Sequence, residues 1–187
     1  MGKLIVIIML LMVTACDNQT NTFNVNGSVF EIPNKFLVQG DIFFLPPSQH
    51  SYPIVKLYPE MDRLHYIGFI IKPMRGLCSS LDGKGYNMLP NACASVAQGV
   101  KKTHHIDLKG LVKTYPYENN LNWLYQIQRV DGTEDVISCG TIGRNNTCSS
   151  FGIYHDMIYT VRYLEEDIPN LNKIHQDVYD RLTEWEK

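Results

Sequence analysis

The chain has 187 residues, 17 of them basic and 19 acidic, for a formal net charge of −2, and 44% are hydrophobic. That balance argues against a polyanion-binding protein, which needs a basic surface, so no nucleic-acid partner is expected. The charge is unevenly placed. Residues 101–113 hold Lys101, Lys102, Lys109 and Lys113 against Asp107 alone, and residues 165–187 hold seven acids against Lys173, Arg181 and Lys187. Such runs are solvated faces as a rule, and steer a partner where it carries the opposite sign.

In chain order, the first segment is an address. Lys3 supplies one positive charge, Leu4 to Val13 is an unbroken apolar run of ten residues, and Asp17 to Thr22 is wholly polar. A short apolar run between a charge and small residues reads as a secretory signal peptide, here residues 1–15. It is too short for a membrane-spanning helix, which needs about 20 residues. The ending Val13-Thr14-Ala15-Cys16 resembles the lipobox of bacterial lipoproteins, with Val13 where that family usually has Leu. The resemblance implies a lipid anchor on Cys16, the first residue of the mature chain, on the periplasmic side of a membrane. Asp17 resembles the retention signal of enteric lipoproteins, which favours the inner membrane over the outer. Removing the signal leaves 172 residues, 16 basic and 19 acidic, with a net charge of −3. Residues 16–22 form the lipidated Cys and a polar tether, which holds the protein on the order of 10–15 Å from the lipid.

Residues 23–187 suit a single globular domain. Phe23 to Ile32 reads as a hairpin about Asn26-Gly27, the preferred two-residue turn, and Pro33 closes it. Asp41 to Leu45 is a short strand ended by Pro46-Pro47. Leu64 to Ile71 is nearly all apolar and is the best candidate for a central strand. Ser79 to Asn91 reads as loop and Ala92 to Val100 as a short helix. Leu121 to Val130 alternates as a strand, Asp131-Gly132 turns, and Val136 to Cys139 returns. Gly140 to Ser150 reads as a polar loop, and Gly152 to Leu164 as one long strand rich in β-branched and aromatic residues. Leu171, Ile174, Val178, Leu182 and Trp185 recur at steps of three and four, the stripe of an amphipathic helix. Asp167 and Asn170 are plausible caps, with Pro169 in the first turn. The expected fold class is α+β, a mainly antiparallel twisted sheet with a C-terminal amphipathic helix packed on it.

With Cys16 given to lipid, Cys78, Cys93, Cys139 and Cys148 remain. An even number in an exported chain predicts two disulfides. Three pairings are possible. We favour Cys78–Cys93 and Cys139–Cys148, because each pair brackets a Gly- or Asn-rich stretch able to turn back on itself. In the chain-entropy model each such loop contributes about 3 kcal/mol. The spacing is too wide for structural zinc, so no metal is expected.

No catalytic motif stands out. A Gly-x-Ser-x-Gly elbow, a phosphate-binding glycine loop and a His-Glu-x-x-His helix are all missing, and no cofactor is expected. Asp82-Gly83-Lys84-Gly85 has turn chemistry. His104-His105 with Asp107 is the densest ligand-type cluster, but adjacent side chains on a strand face opposite ways. His155 and Asp156, read on the long strand, share that difficulty, and His175 falls at the edge of the apolar helix face. Tyr115, Tyr117, Trp123 and Tyr125, interleaved with Asn119 and Asn120, are the candidate partner-binding residues. Aromatic rings beside amides suit a recognition surface.

An anchored, stapled domain without a catalytic motif suits binding of a partner protein, either a cognate toxin or an envelope protein. The pattern Phe23-x-Val25-Asn26-Gly27-x-x-Phe30-x-Ile32-Pro33, with the lipobox and the size, resembles lipoprotein immunity proteins encoded beside type VI secretion toxins. That resemblance implies steric blockade of a toxin and transfers no binding residue. The alternatives are a phage or plasmid entry-exclusion lipoprotein, an envelope assembly lipoprotein and a periplasmic hydrolase. For the anchor, Cys16→Ser is expected to abolish fatty-acid labelling and block processing after Ala15. Continued labelling of that variant would contradict the lipoprotein reading.

Overall fold

The computed structural model describes residues 19–38, 52–61, 67–74, 78, 89–103, 105–116, 121–128 and 134–187. Strand β1 (Thr20–Val25) pairs antiparallel with β2 (Ser28–Pro33) in a two-stranded sheet. Asn26 and Gly27 form the turn at φ of 55° and 94°. Those left-handed angles match the twist of the flanking strands, which is why this dipeptide suits the site. The ladder reaches back to Thr20, so Thr20 to Thr22 belong to the strand rather than to the tether expected from their polarity. They remain exposed or nearly so, and backbone pairing to β2 places no demand on their side chains. After Pro33 a single 3-10 turn, Asn34–Phe36, delivers Phe36 to the core.

The main sheet has seven strands: β3 (Ile54–Lys56), β4 (Gly68–Pro73), β5 (Val112–Thr114), β6 (Asn122–Gln128), β7 (Glu134–Ile142), β8 (Asn145–Tyr154) and β9 (Met157–Leu164). Their order is β3-β4-β9-β8-β7-β6-β5, every neighbour antiparallel. Of the predicted strand Leu64 to Ile71, residues 64–66 lie outside the described residues and Gly68 to Ile71 fall in β4, which is internal but second from the edge; β8 occupies the centre. Asp41 to Leu45, the Asp131-Gly132 turn and Asp82 to Gly85 lie outside the described residues.

Two expectations are corrected here. Gly140 to Ser150 is not a loop but most of the β7–β8 hairpin, turning at Gly143-Arg144 with Gly143 at φ 63°. Its polar residues alternate with Cys148 and Ser150, which are buried, so polarity there marks a solvent face. Gly152 to Leu164 is not one strand: His155-Asp156 turns it, with His155 at φ 54°. The β-branched and aromatic residues run unbroken on both sides and conceal that turn. His155 and Asp156 therefore lie at a sheet corner, where Asp156 accepts a hydrogen bond from the Asn26 amide.

Helix α1 (Leu89–Ala97) starts three residues before its predicted position, with Pro90 in the first turn, where a missing N–H costs little. Helix α2 (Leu171–Trp185) packs on the sheet, with Leu171, Ile174, Val178, Leu182 and Trp185 all buried. His175 is buried too, at 5% exposure, rather than sitting at the edge of the stripe. Strand periodicity turns Cys148, Ser150, Gly152 and Tyr154 of β8 and Tyr159, Val161 and Tyr163 of β9 toward that helix. Trp185 meets Phe36 edge-on at 5.0 Å and stacks on Phe69 at 6.4 Å. Beyond α2, Glu186 accepts hydrogen bonds from Ser28 at 2.6 Å and Tyr154 at 2.7 Å, and the Lys187 N–H donates to Val29 at 3.0 Å. These bonds fasten the N-terminal hairpin to the far end of the chain.

The disulfides join Cys78 to Cys93, on α1, and Cys139 to Cys148, directly opposite each other on β7 and β8. Gly152 has a different job. A Cβ there would sit 2.1 Å from Cζ of Tyr159, because the tyrosine ring lies across the glycine. Gly152→Ala is therefore expected to destabilise the fold by about 1–3 kcal/mol, the usual cost of overpacking, as read by urea unfolding. A stability unchanged from the parent protein would show that the ring is not held there.

Candidate partner-binding surface

Period-two alternation puts Trp123 and Tyr125 of β6 on one face, and the register sets Lys113 of β5 opposite Tyr125. The Lys113 ammonium lies over three rings, 4.4 Å from the centre of Trp123, 5.4 Å from Tyr125 and 5.6 Å from Tyr115. Glu165 closes the cluster from the 3-10 turn Glu165–Asn170 that follows β9. Its Oε1 accepts from Lys113 Nζ at 2.8 Å, Trp123 Nε1 at 3.0 Å and the Tyr125 hydroxyl at 2.5 Å. Its Oε2 accepts from the Asn146 amide at 2.9 Å. One carboxylate thus ties together β5, β6 and β8.

Electrostatics follow from that geometry. Desolvation alone would raise the Glu165 carboxyl, but donation from Lys113, Tyr125 and Asn146 outweighs it and holds the group below its ordinary value. Desolvation likewise works against the Lys113 ammonium, yet Glu165 and Tyr115 keep it above the usual lysine value. Burial, then Glu165, raises the Tyr125 phenol.

Of the four aromatic candidates, the structure brings three together but leaves only one largely exposed. Trp123 is 4% exposed, a core residue beside the Cys139–Cys148 disulfide rather than a surface residue. Tyr125 is half-buried, Tyr115 is 53% exposed, and Tyr117 lies outside the described residues. Lys113 and Glu165 were not singled out as a pair in the sequence, being 52 residues apart. The exposed apolar residues gather at this end of the sheet. Of seven large ones among the described residues, Val112, Tyr115, Leu121 and Ile142 belong to β5, β6 and β7 or lie next to them. The opposite edge strand, β3, is covered by Leu37 and Val38, whereas β5 has no outer backbone partner among the described residues.

A second polar assembly lies between the sheet and α2. His175 Nε2 is 3.0 Å from Ser150 Oγ, and Nδ1 is 3.1 Å from the Tyr159 hydroxyl, itself 3.2 Å from Thr103 Oγ1. Ser150 and His175 are 2% and 5% exposed. The other sequence candidates do not converge on one centre. His105 is exposed, and Asp107 caps the turn Leu108–Gly110 by accepting from the Lys109 N–H. His155 lies 3.5 Å from Glu186, and His104 is outside the described residues. Among the described residues no group of three or more His, Cys, Asp or Glu side chains could hold a metal ion.

Glu165→Gln is expected to cost about 1–3 kcal/mol of stability near pH 7, since charge-assisted bonds are lost in a part-buried cluster. A carboxyl held below its unfolded value stabilises above that value and loses the effect as pH falls through the folded value. The gap between parent and variant should therefore close below about pH 4. Urea unfolding across pH 3–8 tests this, and a pH-independent gap would contradict it.

No protein-family model matches the chain, and no curated protein matches it. Among solved structures the fold is similar to that of Smlt3025, an immunity protein of the Stenotrophomonas maltophilia type IV secretion system. The TM-score is 0.52 at 12% identity, over 91% of this chain and 94% of that one. The Neisseria meningitidis iron-regulated outer membrane lipoprotein FrpD aligns over 90% of this chain and 93% of its own at 13% identity. Its TM-score of 0.39 is too low to support an argument. The first likeness speaks for the fold alone.

Proposed function

We propose that the chain is an envelope lipoprotein, anchored through Cys16, that works by binding a partner protein. The partner in this reading is a toxin delivered by a secretion system, against which the chain confers immunity. Tyr115 carries the reading. Its ring is half-exposed, yet it rests 6.3 Å from Trp123 and beneath the Lys113 ammonium. An exposed aromatic already held in place loses little entropy on binding, which is the property of an interface anchor. Leu121, exposed just before β6, adds apolar area at the same end of the sheet.

The fold likeness to Smlt3025 supports the immunity reading, and the Asn26-Gly27 start pattern supports it independently. The pattern points to type VI toxins, whereas Smlt3025 serves a type IV system. The mechanism is steric, with the domain occupying the toxin's active-site mouth on the periplasmic side, at the inner membrane if Asp17 acts as a retention signal. Binding is preferred to catalysis because the Ser150 hydroxyl that meets His175 is itself buried, at 2% exposure, and does not line the cleft beside α2.

Deleting the gene is expected to sensitise cells to toxin-armed kin, and complementation with the parent chain to restore survival. Tyr115→Ala should weaken partner binding by on the order of thirtyfold or more, the loss of one hot-spot side chain, without changing thermal unfolding. Normal survival of the deletion strain beside such kin would instead favour the entry-exclusion alternative.

A further inference from the structure

We propose that the cleft between α2 and residues Lys102, Thr103 and His105 is a pocket for a carboxylate side chain of the partner. This rests on the partner-binding reading above and names the chemistry of what is bound. The cleft has a volume of about 180 Å³. Lys102 and His105 line one wall, Gln176 and Tyr179 of α2 the other, and Tyr159 and His175 the floor. Among the described residues no Asp or Glu lines it.

The floor is internally bonded. If Ser150 donates to His175 Nε2, the Nδ1–H donates to Tyr159, whose own proton goes to Thr103 or to the His175 carbonyl. Each of these side chains already has a partner within the floor, so recognition falls to the rim. Asn172 fixes the outer wall by bonding both the N–H and the C=O of Ile106 at 2.8 Å. Gln176 gives its amide N–H to Asp180 at 2.6 Å, which leaves its carbonyl for Lys102 Nζ at 3.1 Å. Lys102 also sits 4.7 Å over the Tyr179 ring.

Lys102 is therefore aimed by two neutral groups and cancelled by neither. Among the described residues no carboxylate pairs with Lys101, Lys102 or Lys109. Asp107, the one acid in residues 101–113, has Oδ1 committed to the Lys109 N–H, and the charge of Lys113 is met by Glu165. Asp180 is the carboxylate one amide removed, held off by Gln176, so the preset ammonium keeps no direct ion pair and attracts an anion, and a carboxylate accepts charge-assisted hydrogen bonds there. The same segment runs on from the cleft to Tyr115, so one acidic partner surface can meet both.

The probe is sodium acetate, titrated against sodium chloride at constant ionic strength and followed by NMR at the His105 ring and the Gln176 side-chain amide. Saturable acetate shifts are expected, with affinity about tenfold lower in Lys102→Met, as loss of one charge-assisted hydrogen bond implies. Shifts that are linear and equal to those of chloride would overturn the pocket. Inorganic phosphate binding far more tightly than acetate would overturn the side-chain assignment. In the kin-protection assay, Lys102→Glu should impair survival as Tyr115→Ala does. If Tyr115→Ala abolishes protection while Lys102→Glu leaves it whole, the pocket fails and the binding reading stands. If deletion of the gene has no effect on survival, the immunity reading itself fails, and the acetate titration alone decides the pocket.

Discussion

The stripe of Leu171, Ile174, Val178, Leu182 and Trp185 faces the seven-stranded sheet, and its Trp185 end reaches Phe36 just beyond the N-terminal hairpin. Burying five such side chains is worth on the order of 10 kcal/mol, about the size of a domain's whole net stability. The hairpin's two strands pair with no strand of the main sheet, so α2 and the residues after it join the two, together with the Asn26–Asp156 hydrogen bond and the pairing of Leu37 and Val38 with β3. Glu186 completes the join by accepting from Ser28 on one side and Tyr154 on the other. Desolvation opposes its charge, but those bonds and His155 keep the Glu186 carboxyl below its ordinary value.

Polar groups inside this arrangement serve orientation. Gly152 leaves room for the Tyr159 ring, the ring brings its hydroxyl to His175, and His175 reaches Ser150. Each step depends on the previous one, and a satisfied network of this kind specifies one packing of helix on sheet. Glu165 does comparable work at the other end of the sheet, where one carboxylate takes four donors and sets the position of three aromatic rings through Lys113. In both places the residue that matters is identified by its partners rather than by its own chemistry.

That explains which features could be read from the sequence. Asn26-Gly27 and the spacing of the α2 stripe are local signals with one physical meaning each, and both appear where expected. The fold class followed from them and from the alternating segments. His155-Asp156 turns without glycine or proline, and a run of aromatic and β-branched residues hides it. The polar residues of 140–150 concealed a hairpin because alternation there is carried by a cysteine and a serine. Tyr115, Trp123 and Tyr125 were legible as a group, but their exposures were not, since burial of Trp123 depends on a register with Cys139. Lys113 and Glu165 meet only after β5 to β9 are assembled, and no local pattern encodes that meeting.

The bonds between residues 28–30 and residues 186–187 order events in time. A chain made from its N-terminus forms the Asn26-Gly27 hairpin early, but Phe30 and Ile32 find their burial partners only once the last turns of α2 exist. Contacts spanning nearly the whole chain close slowly, because the long loop must be organised before they reward it. Docking of the hairpin is thereby deferred until residues 186–187 have been made.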